Sequence, residues 1–182
     1  MTSQPLKLLL AEDDELFRLG LRMRLQQEPD LEVVAEAEDG ETAVELAKRQ
    51  ELNLVLLDVG LPGIGGIEAC RQMKQALPTL PILILTSHSD AALITRLIAA
   101  GAQGYCLKGI PAEKLILALK SIASGASWWD QTATTAIQTA LQSPNLSQPE
   151  PTSPNPLTKR EQEILALVAL GKSNQEIADL LY

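Results

Sequence analysis

Four apolar residues in a row, Leu54-Val55-Leu56-Leu57, followed at once by Asp58 and then by Val59-Gly60-Leu61-Pro62, constrain this chain more than any other stretch. A run of that length reads as a β-strand covered on both faces, because so short a helix does not nucleate and a half-exposed strand alternates polar with apolar. Asp58 stands at the strand's carboxyl end, where ligands and chemistry collect in open α/β sheets, and Gly60 and Pro62 turn the backbone away. A carboxylate there is a candidate nucleophile or metal ligand. Taken alone, an Asp that merely caps a turn is an equal reading.

The same pattern recurs along the chain. Lys7 to Ala11 is a short apolar strand that ends in Glu12-Asp13-Asp14-Glu15. Leu16, Leu19 and Met23, with Leu21 and Leu25 alongside, give a helical period that Pro29-Asp30 stops. Glu32 to Ala37 predicts a second strand, and Asp39 caps a helix carried by Ala43, Val44, Leu46 and Ala47. After the strand at 54–57, residues 67–76 predict a helix that Pro78 terminates. Pro81 to Leu85 is another buried strand, with Thr86, Ser87, His88, Ser89 and Asp90 crowding its end. Leu93, Ile94, Leu97 and Ile98 form a helix closed by Gly101, Gly104 to Leu107 a fifth strand ending in Lys108, and Leu115, Leu119 and Ile122 one face of a further helix. Five strands alternating with five helices predict a parallel, doubly wound sheet with right-handed crossovers.

Composition narrows the function classes. With 46% hydrophobic residues the chain has enough apolar side chain for a core, and its formal charge of -8 argues against coating nucleic acid over the whole surface. DNA contact requires a local basic patch. Cys70 and Cys106 fit no metal or CxxC spacing and read as reduced apolar residues. Residues 1–5 lack the features of a secretory signal and no apolar run reaches membrane-spanning length, so a cytoplasmic protein without membrane contact is expected.

Strands one, three, four and five deliver Glu12 and Asp13, Asp58, Thr86 and Lys108 to one carboxyl rim. Carboxylates held that close repel unless a cation lies between them, and oxygen ligands select a hard ion such as Mg²⁺. Asp58 as nucleophile, an acid pair for the metal, the Thr86 hydroxyl and the Lys108 ammonium are the parts that phosphoryl transfer to a carboxylate requires.

In these residues, with Pro62 and Gly66 after Asp58 and Tyr105 before Lys108, the first two-thirds of the chain resembles the receiver domain of two-component response regulators, a five-stranded flavodoxin-like fold. The resemblance implies an aspartyl phosphate at Asp58 donated by a sensor histidine kinase. It also implies Mg²⁺ bound by Asp13, Asp58 and the Gly60 carbonyl, with Glu12 acting through water. Thr86 and Tyr105 resemble the family's switch pair; an ordinary strand-edge aromatic is the alternative for Tyr105. Asp14 falls after the acid pair, as a supporting acid or a helix cap. His88, the only histidine, matches a position bordering the phosphorylation site, where it either tunes acyl-phosphate hydrolysis or is a solvated loop residue.

Beyond Gly125 the pattern changes. Trp128-Trp129 precedes a Thr/Ala/Gln stretch, 131–142, that fits a weakly amphipathic helix, and residues 143–156 hold five prolines and read as an extended linker. Thr158-Lys159-Arg160-Glu161 and Ser173-Asn174-Gln175-Glu176 each have capping-box form, separated by Gly171. With Leu167-Val168-Ala169 they resemble the first two helices of the LuxR-type DNA-binding domain of the NarL/FixJ branch. The expected organisation is a receiver over 5–127, a linker over 128–156 containing the helix at 131–142, and an incomplete LuxR-type helix-turn-helix over 157–182. The helix that would enter the major groove is not in the sequence, so Lys159, Arg160 and Lys172 are expected to touch DNA phosphates without reading sequence. The expected function is a phosphorylation-switched transcription regulator that meets promoter DNA through a complete C-terminal domain, with homodimerisation on phosphorylation. It is not an enzyme in the usual sense, although it catalyses its own phosphotransfer and slow dephosphorylation. The alternative is a receiver acting through protein contacts or as a phosphate sink; a stand-alone phosphohydrolase is weaker, since no second general acid is visible.

Overall fold

The computed structural model describes residues 4–88 and 90–142. Its elements run β1 (Leu6–Ala11), α1 (Glu15–Leu25), β2 (Leu31–Ala37), α2 (Gly40–Arg49), β3 (Leu54–Asp58), α3 (Gly65–Ala76), β4 (Ile82–Thr86), α4 (Ala91–Ala99), β5 (Gly104–Leu107), α5 (Ala112–Ala123) and α6 (Gln131–Gln142). The strands form one parallel sheet in the order β2-β1-β3-β4-β5, the flavodoxin-like order. The expected fold is therefore present, and the helix expected at 131–142 has those bounds.

Alternation within the apolar strands supplies two cores. Leu9, Val55, Leu57, Ile82, Ile84 and Tyr105 face one layer, which α2, α3 and α4 cover with Val44, Met73, Ile94 and Leu97. Leu8, Leu10, Leu54, Leu56, Leu83 and Leu85 face the other, covered by Leu25 of α1 and by Leu115, Leu119 and Ile122 of α5. Every residue of β3 and β4 is buried, which is why those strands show no polar alternation. The sixth helix joins the first layer through Ala133, which is fully buried.

The apolar period of α1 overstates its core face. Leu16, Leu19 and Met23 are 81%, 40% and 58% exposed, whereas Leu25 is buried and Phe17 and Leu21 are half-buried. Arg18 takes the inner position and is spent on polar partners: it donates to the Glu12 carbonyl at 2.6 Å and pairs with Glu36 and Glu38. Both cysteines are buried and free, and burial raises the Cys70 thiol to about 11 and the Cys106 thiol to about 12. Among the described residues no helix is long and apolar enough to cross a membrane. The prolines of 143–156 and the two capped segments beyond them lie outside the described residues.

Candidate functional site

The site is assembled by strand register. β1 and β3 are parallel neighbours with Ala11 opposite Leu57, so the residues that follow, Glu12 and Asp58, emerge at one level of the carboxyl edge. β4 lies on the other side of β3 and carries Thr86 one register step further, and β5 beyond it brings Lys108. Oxygens of Glu12, Asp13 and Asp58 lie within 4.8 Å of one another. Glu12, Asp58 and Thr86 are buried and Asp13 is exposed, so the acid cluster opens to solvent at Asp13.

Lys108 Nζ donates to Glu12 Oε1 at 2.9 Å and to Asp58 Oδ2 at 3.0 Å. One ammonium therefore reaches from the end of β5 past β4 to bridge two buried carboxylates at the ends of β3 and β1. Burial works against its charge, but the hydrogen bonds and charges of Glu12 and Asp58 prevail and raise its pKa. Burial likewise pushes the Glu12 carboxyl above its ordinary range; the Lys108 hydrogen bond opposes this and the nearby Asp58 charge adds to it. Glu12 Oε2 is buried without a hydrogen-bond partner. An orphaned carboxylate oxygen beside two further acids is the donor set a hard divalent cation takes, directly or through water.

The backbone is shaped around Asp58. A Cβ on Gly60 would lie 3.2 Å from Asp58 Oδ2, so Gly60 stands against the carboxylate. A Cβ on Gly66 would lie 1.9 Å from the Asp58 carbonyl oxygen, which leaves that position to glycine and lets α3 start directly beneath the site. Asp14 is the N-cap of α1, accepting from the Phe17 amide at 2.8 Å. The Thr86 hydroxyl accepts from the His88 amide at 3.1 Å, and His88 itself is exposed.

Tyr105 is 2% exposed, and its hydroxyl donates to Asp130 Oδ2 at 2.6 Å. Asp130 also accepts from the Ala133 amide at 2.8 Å, so the same carboxylate starts α6. The Tyr105 ring lies 6.1 Å from that of Trp129, and Trp128 extends the sheet edge: its amide donates to the Gln103 carbonyl and its carbonyl accepts from the Tyr105 amide, both at 3.1 Å. Burial, with Asp130 reinforcing it, raises the Tyr105 phenol far above its ordinary value. Tyr105 is thus no loose edge aromatic. Asp130 and Phe17, whose ring centroid lies 5.0 Å from Lys108 Nζ, were missed in the sequence; a helix-starting Asp after Trp128-Trp129 was the available signal for the first, and nothing local marks the second. Lys159, Arg160 and Lys172 lie outside the described residues.

Comparison with known proteins gives the same outline. Residues 8–120 match the response regulator receiver domain, and residues 155–182 match the bacterial regulatory proteins of the luxR family. The chain is 34% identical to the transcriptional regulatory protein DegU of Brevibacillus brevis, over 97% of this chain and 80% of that protein. It is 34% identical to the oxygen regulatory protein NreC of Staphylococcus epidermidis, over 97% of this chain and 83% of that one. Among solved structures, a LuxR-family two-component response regulator from Aurantimonas sp. SI85-9A1 is similar with a TM-score of 0.70 and 31% identity, covering 76% of this chain and 99% of that one.

Proposed function

Because the chain belongs to the two-component response regulators that join a receiver domain to a LuxR-type DNA-binding segment, and so to phosphorylation-dependent regulators of transcription, we propose that Asp58 is its phosphoacceptor. The observation that carries this reading is Lys108 bridging Asp58 and Glu12 at 3.0 and 2.9 Å, beside a buried carboxylate oxygen that has no partner. An Asp58 carboxylate oxygen attacks the phosphorus of the donor, a new P–O bond forms, and the donor's P–N bond to imidazole breaks as the ring leaves. With acetyl phosphate the broken bond is P–O and acetate leaves. The receiver thus catalyses its own phosphorylation, and slow hydrolysis of the acyl phosphate resets it.

Glu12, Asp13 and Asp58, with the carbonyl of Gly60, would hold Mg²⁺, and Glu12 would reach it through water. When bound, the ion neutralises charge on the incoming phosphoryl oxygens. Lys108 exchanges a carboxylate oxygen for a phosphoryl oxygen, its positive charge already standing at the rim where the phosphoryl charge arrives. The Thr86 hydroxyl, now taken up by the His88 amide, turns to the phosphoryl group. Tyr105 answers as its partner, and its bond to Asp130 carries the change to the start of α6, the last described element before the LuxR-type segment. His88 borders this path and tunes the phosphoryl lifetime. The partners on this reading are a sensor histidine kinase and promoter DNA, with homodimerisation following phosphorylation.

Intact mass measurement after acetyl phosphate, with and without Mg²⁺, tests the chemistry. Wild type should gain one phosphoryl mass only with the ion, and Asp58→Asn should gain none. Equal labelling of the two proteins would rule out the assigned nucleophile.

A further inference from the structure

Phe17 is the chain's single phenylalanine, yet it is not a central core residue. It is the third residue of α1, its amide is held by the Asp14 cap, and its half-buried ring packs beside the α1/α5 core layer. The Lys108 ammonium lies 5.0 Å from the ring centroid, within the range at which the negative face of an aromatic ring attracts a cation. Around that ammonium, therefore, are two carboxylate oxygens and one aromatic ring. Packing alone does not ask for a ring here, because leucine fills a half-buried helical position with better propensity.

Lysine is a point charge on a flexible four-carbon stem, and the Lys108 side chain is 22% exposed. Once a phosphoryl group arrives at Asp58, the ammonium has to pass from a carboxylate oxygen to a phosphoryl oxygen without swinging into water. We propose that Phe17 is a positioning residue for Lys108: the ring keeps the ammonium over the rim while its oxygen partners change, and so speeds phosphorylation of Asp58. The inference rests on the assignment of Asp58 and Lys108 above and adds a residue that the acid cluster does not contain. It also gives the Asp14 cap a second consequence, since that cap fixes where the ring stands.

The single phenylalanine makes a direct test possible. Growth with mono-, di- and trifluorinated phenylalanine alters only this ring, weakening its negative face stepwise while nearly keeping its shape. The initial rate of Asp58 labelling by acetyl phosphate with Mg²⁺ should fall stepwise across the series, by about three- to tenfold in all. Phe17→Leu should be as slow as the most fluorinated protein and Phe17→Trp close to wild type, with unfolding midpoints measured on the same samples. A rate indifferent to fluorination, or one that falls only in step with the unfolding midpoint, assigns the ring to packing and overturns the inference. Where Phe17→Leu does not fold, the fluorinated series still decides. Absent labelling of unmodified wild type removes the Asp58 reading and this inference together; normal labelling without a fluorine effect removes this inference alone.

Discussion

Lys108 holds two buried carboxylates apart from one another's charge, so its removal has a consequence that depends on the metal. In Lys108→Met, Glu12 and Asp58 are left facing each other without a cation, and breaking a largely buried pair of this kind costs about 2–4 kcal/mol. Mg²⁺ held as proposed by the folded state would offset part of the loss by mass action. The variant's unfolding midpoint should therefore fall in EDTA and rise with Mg²⁺ more steeply than that of wild type; parallel Mg²⁺ responses in thermal melts would contradict the placement of the ion among these acids. Gly66 gives a second residue-level prediction of different origin. With Ala in its place the new methyl meets the Asp58 carbonyl at 1.9 Å, so α3 or the β3 terminus has to move. Overpacking of that kind costs about 1–3 kcal/mol, and a rim displaced by a fraction of an ångström should label at least about tenfold more slowly. Equal labelling rates for Gly66→Ala and wild type would mean that the backbone around Asp58 yields without disturbing the carboxylate.

The strands were readable because burial on both faces removes the reasons for a polar residue, and β3 and β4 show this up to their last residues, Asp58 and Thr86. Rim residues were readable for a related reason: a polar residue directly after an apolar run has little choice but to lie at the strand's end. Helix faces were less legible. On α1 the apolar period gave Leu16, Leu19 and Met23, but the sheet beneath that helix is partly occupied by Arg18, whose hydrogen bond to the Glu12 carbonyl no hydropathy pattern expresses. Side-chain contacts between distant elements were invisible for the same reason, and the bond from Tyr105 to Asp130 is the main case. In Asp130→Ala, α6 loses both its N-cap and its tie to β5, a loss of roughly 1–2 kcal/mol. Amide exchange along α6 should then speed up by about tenfold while β1 to β4 amides stay as protected as before; unchanged α6 exchange would show that Ala133 and Trp129 dock the helix without the carboxylate. Helix α1 has a pH signature of its own where its end meets α5. Arg24, and then Lys120, hold the Glu28 carboxyl below its ordinary range. A depressed carboxylate contributes stability that is complete above its unfolded value and is lost as pH falls through the folded one. Acid titration should thus lower the unfolding midpoint less in Glu28→Gln than in wild type.

At the scale of the molecule, everything the proposed chemistry uses lies in one compact unit bounded by Met1 and Pro144, including both core layers and α6. Among the described residues, the rim draws on β1, β3, β4 and β5. The proposed phosphoryl acceptance thus draws on residues of the first unit, whereas the match to the luxR family begins only at residue 155. The net charge fits the same division of labour: a chain at -8 leaves DNA contact to a local surface rather than to the whole molecule. A chain cut after residue 144 should fold, unfold in a single cooperative transition, and label at Asp58 at the rate of the 182-residue chain to within about twofold, since a twofold change corresponds to less than 0.5 kcal/mol of barrier. The comparison is made by intact mass over a time course at matched Mg²⁺ and acetyl phosphate. Faster labelling of the shorter chain would reveal that the C-terminal segment restrains the rim, and slower labelling that it completes it; either result would transfer part of the switch from the receiver to its connection with the DNA-binding segment.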